Sequence, residues 1–348
     1  MKYSIRSSKE MEIYTMFPKK ETHSISLVDL NNLYKTEEDA QKFFYNAKWP
    51  EGYHCAKCNC DKADYLEKRK VYQCRKCKHQ ESITTHTALE NTKVPLLKWL
   101  LLLYLYSNSK TGISAKYLGK MIGVNYNTAK LMVRKIKAAQ AQNNEKYPVL
   151  KCDVIELDTF LFGGKKKGKR GLGAKGKLCV AIAAIKDYVE VDENGTSKVY
   201  EKTKAVKFKI VDSENKVEIT NFLNSMVPSD CLVCCDASTT NRSIKIEGKK
   251  IDARKFDPDS HYLSSADHMI GNLKSKIEGS LHGIELQYLE NELADFEWKF
   301  ARHTRNSKSI FESLARTVIN GMHKTRDYLI QYFKDTKQRM NEIIVQEP

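Results

Sequence analysis

The sequence contains no apolar run long enough to cross a membrane. Its longest run, Trp99–Tyr106, has eight residues, whereas a transmembrane helix needs about 20. The first 35 residues are mixed, polar and charged, without the charged and then apolar pattern of a secretory signal. We therefore predict a cytoplasmic protein with no membrane partner, in which Trp99–Tyr106 is a buried helix.

Acidic residues are in deficit relative to basic ones. The chain of 348 residues has 43 Asp and Glu against 59 Lys and Arg, which gives a net charge of +16. Such a chain attracts polyanions, so nucleic acid is the leading partner, and a basic but otherwise ordinary soluble enzyme is the alternative. The length exceeds that of a typical single core, so we expect two or three domains.

The ten cysteines do not have the distribution of a disulfide framework. Five of them lie between Cys55 and Cys77, and a reducing compartment disfavours disulfides. Two Cys-x-x-Cys pairs, Cys55 with Cys58 and Cys74 with Cys77, are separated by 15 residues. Two such turns can close a tetrahedral site, so we predict a structural Zn²⁺ on these four thiolates rather than a redox pair. Cys60 is a fifth thiol, which we interpret as a bystander.

Apolar residues at helical spacing follow the cysteine-rich module. One predicted helix covers 114–122 and the next begins near Asn125, with Ser114 and Asn125 as their N-caps. The short link that contains Gly123 is typical of a helix-turn-helix, and an ordinary antiparallel helix pair is the alternative. A helix-turn-helix would direct the following residues towards the major groove of double-stranded DNA: Asn125, Tyr126, Asn127, Thr128 and Lys130.

The segment from Asp153 to Phe162 has the β-branched and aromatic content of a strand. Its period of two places Glu156 and Asp158 on one face, among apolar neighbours. A carboxylate on such a face is costly to bury unless it binds a metal or another cation, so Asp158 is a candidate metal ligand. For both acids, and for Glu156 in particular, the alternative is a solvated strand face.

A basic, glycine-rich loop follows this strand. Seven of the fifteen residues in 163–177 are Lys or Arg and six are Gly, which lets amides and ammonium groups approach phosphates closely. The alternative is a solvated charged loop. Further strands are predicted at 178–185 and 203–211. The predicted DNA contacts in the loop are Lys165, Lys166, Lys167, Lys169 and Arg170.

A short apolar run, Cys231–Asp236, ends in an acid. A buried strand delivers an Asp to the edge of a sheet in this way, so Asp236 is the second candidate metal ligand. Its neighbours Cys231, Cys234 and Cys235 are interpreted as small core residues rather than a second zinc site. Two carboxylates on neighbouring strands can share Mg²⁺ or Mn²⁺ ions that assist phosphodiester displacement.

Several segments occur in an order shared with a known family: Trp49–Cys58, Ile155–Lys165 with its basic continuation to Lys177, His268–Lys274 with Gly279–Gly283, and Asp295–Arg302. They resemble bacterial insertion-sequence transposases with an N-terminal zinc ribbon and a DDE-type, ribonuclease-H-like catalytic domain, the ISXO-like branch. The resemblance implies an enzyme that cuts DNA at the ends of its own element and joins them to target DNA. It also implies that Asp158 and Asp236 are the first two catalytic acids and that segment 272–274 is the third catalytic region.

The third catalytic position has three candidates, Asp267, His268 and Asn272. Asn272 follows Asp236 after 35 residues, a separation that resembles many DDE enzymes, and we predict it as the catalytic residue. The apolar residues of 267–277 have a helical spacing that leaves Asn272 on another face. Mg²⁺ accepts an amide oxygen beside carboxylates, and Lys274 can hold a phosphate as a point charge.

The predicted fold is α+β and multidomain. We expect self-association on DNA. The alternatives are a catalytically inactive or domesticated DNA-binding protein, which needs neither acid, and a structure-specific nuclease. Asp295, Lys299 and Ala301 stand where the resembling family more often has Glu, Arg and Asn. The expected domains are an N-terminal extension (1–36), a zinc ribbon (37–90), a helix-turn-helix segment (91–142), a ribonuclease-H-like mixed α/β catalytic domain (149–306) and a C-terminal helical segment (307–348).

Overall fold

A computed structural model describes most of the chain. The residues that it describes are 24–146, 152–163, 177–193, 196–211, 216–226, 231–238, 241, 243–244, 250–255, 257, 262–281 and 284–346. The predicted DNA contacts Lys165, Lys166, Lys167, Lys169 and Arg170 lie outside these residues.

Two helices precede the cysteine-rich module. α1 covers Leu27–Leu33 and α2 covers Glu37–Lys48. Each begins with a capping box, because Ser26 and Thr36 accept the backbone N–H of the third helical residue while the Asp at that position accepts the N–H of the cap. Local hydrogen bonding therefore fixes where both helices begin.

The cysteine-rich module contains a three-stranded antiparallel sheet. Its strands are β1 Ala63–Leu66, β2 Val71–Cys74 and β3 Gln80–Glu81, which pair in chain order. Four aromatic rings join this sheet to α2, with centroid distances between 5.0 and 6.1 Å. These rings belong to Tyr45, Trp49, Tyr53 and Tyr72. The ribbon is thus packed on α2 through an apolar contact.

Three helices follow the ribbon: α3 Leu96–Asn108, α4 Ala115–Ile122 and α5 Tyr126–Lys146. The apolar run that predicts a buried helix lies in α3, where Trp99 and Leu100 are at most 1% exposed. Across the described part of the chain, no helix has both the length and the apolar character needed to cross a membrane.

The link between α4 and α5 depends on two glycines. Gly123 ends α4 with φ +66°, in the left-handed region that favours glycine. A Cβ on Gly119 would lie 3.0 Å from the Val124 carbonyl oxygen and 3.2 Å from the Ala129 Cβ, so a larger residue would require the two helices to move apart by a few tenths of an ångström. Asn125 caps α5, because its Oδ1 accepts the Thr128 N–H at 2.8 Å. The turn and the cap therefore agree with their sequence prediction.

The second half of the chain contains a five-stranded mixed sheet. It has the order β6-β5-β4-β7-β8, antiparallel from β4 to β6 and parallel from β4 through β7 to β8. This sheet agrees with the predicted α+β fold. β5 and β6 are longer than predicted, and β8 is an addition to the predicted strands. The bounds are β4 Val154–Phe162, β5 Leu178–Glu193, β6 Thr196–Val211, β7 Leu232–Asp236 and β8 Lys250–Arg254.

Helices cover both faces of this sheet. On one face, α6 (Lys216–Met226) contributes Phe222 and Leu223 to an apolar core with the sheet. On the other face lie α7 (Ser264–Ser275), a π-helical turn (Lys276–Ser280) and α8 (Leu289–Phe300). The sheet is therefore buried on both sides, as its parallel strands require.

The last two helices are α9, Ser307–Ile319, and α10, Arg326–Gln346. α9 returns to the N-terminal helices, where the Phe311 ring stacks on Phe43 at 5.1 Å. α5 packs along α8, and Asn144 Nδ2 donates to the Ala294 carbonyl at 2.9 Å. The sheet region and the N-terminal helices are thus held together through α8 and α9.

Candidate functional site

Asp158 and Asp236 lie side by side in the sheet, Asp158 in the middle of β4 and Asp236 at the end of β7. β4 and β7 pair in parallel, and the last aligned pair is Leu157 with Cys235, so each acid is the next residue on its strand. Parallel neighbours lie about 4.8 Å apart. Both acids are partly exposed, and Asp158 Oδ1 accepts the Thr159 N–H at 2.7 Å. This geometry allows the two carboxylates to bind a shared cation.

Two residues that the sequence did not single out surround Asp236. Asn241, which is 7% exposed, donates from Nδ2 to Asp236 Oδ1. Arg254 on β8 is the register partner of Asp236, and its guanidinium is held by Asp252 at 2.7 Å and by the Tyr262 ring at 4.5 Å. An amide and a cation therefore adjoin this carboxylate.

Glu156 anchors a helix rather than facing solvent. It is 2% exposed, and its Oε2 accepts the backbone N–H groups of Ser265 and Ala266 at 2.7 and 2.9 Å, in the first turn of α7. Its Oε1 forms an ion pair with Lys186. The neighbouring carboxylates of Glu156 and Glu201 raise the Lys186 pKa against the opposing effect of burial. The solvated-face alternative for Glu156 is therefore wrong.

α7 runs along β4 on the same sheet face as Asp158. Its start meets Glu156, and near its end Lys274 Nζ lies 5.6 Å from the Phe160 ring centroid. Asp267, His268 and Asn272 are all exposed on this helix, whereas the apolar residues Met269, Ile270 and Leu273 are buried. Asn272 thus lies off the apolar stripe, as its sequence spacing predicts.

A buried ion network holds the end of α7. Asp295 on α8 is 1% exposed, and its carboxylate accepts from Lys276 Nζ at 2.6 Å and from the Tyr106 hydroxyl at 2.9 Å. Lys299 Nζ lies 3.5 Å from the same carboxylate. Burial alone would raise the pKa of Asp295, but the ammonium groups of Lys276 and Lys299 hold this pKa well below its usual range.

Glu292 extends this network to the helix-turn-helix. It pairs with Lys276 at 3.4 Å and with Lys137 of α5. The network therefore connects α3, α5 and α8 to the turn that follows α7. Asp295 and Lys299 depart from the pattern of the resembling family, yet they keep opposite charges in contact.

Replacing Lys276 with Met is expected to lower the free energy of unfolding by about 3–5 kcal/mol, because it leaves Asp295 buried without its nearest cation. The double change Lys276→Met with Asp295→Leu should recover most of that loss. Urea unfolding checks both variants. Arg75→Met, which breaks an exposed pair with Asp64, is the control and should cost less than about 1 kcal/mol. An equal cost for the two single variants would contradict the assigned role.

The four cysteines of the ribbon lie together. The sulfur atoms of Cys55, Cys58, Cys74 and Cys77 are all within 4.8 Å of one another, and two pairs are 3.5 Å apart. A tetrahedral zinc with bonds of about 2.3 Å places sulfurs about 3.8 Å apart, so the cluster fits Zn²⁺. Backbone N–H groups of Cys77 and Lys76 contribute to lowering the pKa of Cys74 to about 6.

The predicted DNA contacts of the helix-turn-helix have two different environments. Asn125 and Asn127 are exposed at the start of α5. Lys130 is partly buried, and its Nζ lies 5.7 Å from the Tyr126 ring centroid and 5.9 Å from that of Tyr288. Lys130 therefore lies between α5 and the turn that precedes α8, and only part of it is exposed to solvent.

Comparison with protein families agrees with this architecture. Residues 35–80 match the transposase zinc-ribbon domain, and residues 152–301 match the ISXO2-like transposase domain. A search of curated proteins gave no significant match. A ribbon with a zinc-binding cysteine cluster, followed by a transposase domain, places this chain in the class of transposases. The chain is an insertion-sequence transposase with an N-terminal zinc ribbon.

Proposed function

We propose that this transposase cleaves the ends of its own insertion element and joins them to target DNA by divalent-metal-dependent phosphoryl transfer. The observation that carries the proposal is the adjacency of Asp158, in the middle of β4, and Asp236, at the end of the parallel strand β7. In cleavage, water attacks the phosphorus and the bond to the 3′ oxygen breaks, which leaves a 3′-hydroxyl. In joining, that hydroxyl attacks a target phosphodiester and displaces another 3′ oxygen.

Asp158 and Asp236 would hold Mg²⁺ or Mn²⁺. Their oxygen donors suit these hard cations, and both side chains are partly exposed and hence accessible to DNA. When bound, the metal would lower the pKa of the attacking group and neutralise developing charge. Asn241 would orient Asp236, and Arg254 beside it would attract a phosphate.

The substrate would be double-stranded DNA, read by the helix-turn-helix. Asn125 and Asn127 are exposed at the start of α5, where a recognition helix contacts base edges. Lys165, Lys166, Lys167, Lys169 and Arg170 would add phosphate contacts. We also propose that copies of the chain associate on DNA, which would bring two element ends together.

The test is Mg²⁺-dependent cleavage of a linear DNA fragment that carries the gene with its flanking ends. Zinc-loaded protein is incubated with and without Mg²⁺ or Mn²⁺, and DNA binding is measured in parallel. Nicks at the element ends that require the added metal support the proposal. Specific binding without cleavage at any metal concentration would instead support an inactive or domesticated DNA-binding protein.

The third catalytic position is tested by two single changes on α7. Asn272→Ala is expected to lower strand cleavage at least about 100-fold, because a preorganised oxygen ligand near the reacting phosphate is lost. Asp267→Ala, an exposed acid on the same helix, is the matched control and should retain activity. Both variants are checked for folding and DNA binding. Full activity of Asn272→Ala together with loss of activity in Asp267→Ala would reverse the assignment.

A further inference from the structure

A cleft separates the helix-turn-helix from the helices of the catalytic region. Its volume is about 1120 Å³, with α4 and α5 on one side and α8 and α10 on the other. Arg134 of α5 lies in this cleft, with its guanidinium 4.9 Å from the Tyr288 ring centroid and 4.8 Å from that of Phe333. Its Nη2 donates to the Tyr288 hydroxyl at 2.6 Å. The cleft therefore combines a cation with aromatic surfaces.

The lining carries an excess of cations. Within the described residues, Lys116, Lys130 and Arg134 line the cleft and form no ion pair. Of the two acids in the lining, Glu292 is already matched by Lys137 and Lys276, and Glu285 is exposed. A polyanion would therefore gain more than it loses on entering.

The lining also offers groups that suit a nucleobase. The Tyr126 ring is 51% exposed, and Lys130 Nζ lies between it and the Tyr288 ring, within 6 Å of both centroids. Asn291 is 8% exposed and lines the cleft, and its Nδ2 has no hydrogen-bond partner in the described part of the chain. The two rings offer stacking faces and Lys130 places a cation beside them, an arrangement that suits a base with its phosphate.

The volume of the cleft favours single-stranded over double-stranded DNA as its ligand. This volume of about 1120 Å³ is slightly above the range of about 300–1,000 Å³ that small-molecule pockets have. One turn of a duplex, about 34 Å long and with a major groove about 12 Å wide, occupies far more than this volume. Asn125 and Asn127, which we assign to the duplex, do not line the cleft. An extended single strand fits both the space and the pairing of aromatic rings with cations.

We propose that this cleft binds a single-stranded segment of the DNA substrate. Bases would stack on Tyr126 and Tyr288, and phosphates would lie beside Lys116, Lys130 and Arg134. The inference rests on the proposed function only in taking DNA as the substrate. It places the unpaired strand between the module that reads the duplex and the region that cuts it.

The experiment compares binding of a single-stranded oligonucleotide from the element end with binding of the corresponding duplex, by fluorescence anisotropy over a salt series. Tyr288→Leu should weaken single-strand binding at least about fivefold, through loss of one stacked base, and change duplex binding less. Lys116→Gln should reduce the slope of log affinity against log salt for the single strand by about 0.7, which corresponds to one phosphate.

Two matched variants serve as controls. Lys120→Gln removes an exposed lysine from the same helix as Lys116 but outside the cleft, and Tyr188→Leu removes an exposed tyrosine elsewhere. Neither should change single-strand affinity or its slope as the cleft variants do. A 2-aminopurine base in the oligonucleotide should lose emission on binding to the wild-type protein and lose less with Tyr288→Leu.

An unchanged slope for Lys116→Gln, or equal losses for single strand and duplex, would overturn the proposal. Because Tyr288 also contacts Arg134, its variant is checked by thermal unfolding, and exposed Lys116 decides the question if that variant is unstable. These results are independent of cleavage. If the protein cleaves DNA with added metal but the cleft variants bind single strands normally, this inference alone is wrong. If single-strand binding depends on the cleft but no cleavage occurs, only the proposed function is wrong.

Discussion

Asp158→Asn is expected to reduce metal-dependent strand cleavage by at least about 10³-fold, with DNA binding preserved. A bound metal contributes several kcal/mol to stabilising the transition state, and each 1.36 kcal/mol is a factor of about ten in rate. An amide keeps the shape of the carboxylate but removes the charge that compensates the cation. Asp236→Asn should have an effect of similar size, because the two acids lie side by side on neighbouring parallel strands.

Asp153→Asn is the matched control for these two variants. Asp153 directly precedes β4, whereas Asp158 lies in the middle of that strand, and the Oδ2 of Asp153 accepts the Tyr188 N–H at 2.9 Å. Cleavage by this variant should stay close to that of the wild type. If Asp158→Asn folds, binds DNA normally and cleaves at the wild-type rate, Asp158 is not a metal ligand.

The strand positions of the acids can be predicted from local patterns. Alternation in 154–162 gives β4 and the face shared by Glu156 and Asp158, and the apolar run that ends at Asp236 gives β7. The binding partners of the Glu156 carboxylate cannot be predicted from local patterns. Its partners are the first turn of α7, more than one hundred residues later, and Lys186 on β5. Only the tertiary fold decides whether such a carboxylate binds a metal, solvent or a helix.

Other features that the sequence did not predict are also non-local. β8 is five residues long, with Ile251 and Ala253 alternating with polar residues, and this short pattern is a weak signal by itself. The position of Lys130 in the sequence predicts a contact with the DNA major groove. In the structure, however, Lys130 lines a cleft whose other side is formed by α8 and α10. Packing between distant segments therefore determines what a correctly predicted helix can contact.

The zinc site is the opposite case, since its ligands follow from spacing alone. Cys55, Cys58, Cys74 and Cys77 come together because two short turns lie at the ends of a small hairpin sheet. Cys60 lies outside the cluster, and its Sγ donates to the Lys62 carbonyl at 3.8 Å. The distinction between four ligands and one bystander agrees with the sequence prediction, and it gives a matched pair of variants.

Cys74→Ser is expected to remove most of the bound zinc and to unfold the ribbon. Structural zinc contributes about 10–16 kcal/mol of apparent binding free energy at neutral pH, and a four-residue strand such as β2 is too short to persist without it. The wild-type protein should contain one zinc per chain. Circular dichroism and metal analysis measure both effects, and DNA binding should weaken with them.

Cys60→Ser should keep its zinc and its fold, because this residue is not part of the four-sulfur cluster. In Cys74→Ser the damage should stay near the ribbon, since β4 to β8 have separate apolar cores, so amides of that sheet should remain protected from hydrogen exchange. Protein prepared without chelators that contains no zinc would contradict the assignment. A site closed by four thiolates has no position for a fifth. Equal zinc loss in the two variants would therefore mean that Cys60 is a ligand in place of one of the four assigned cysteines.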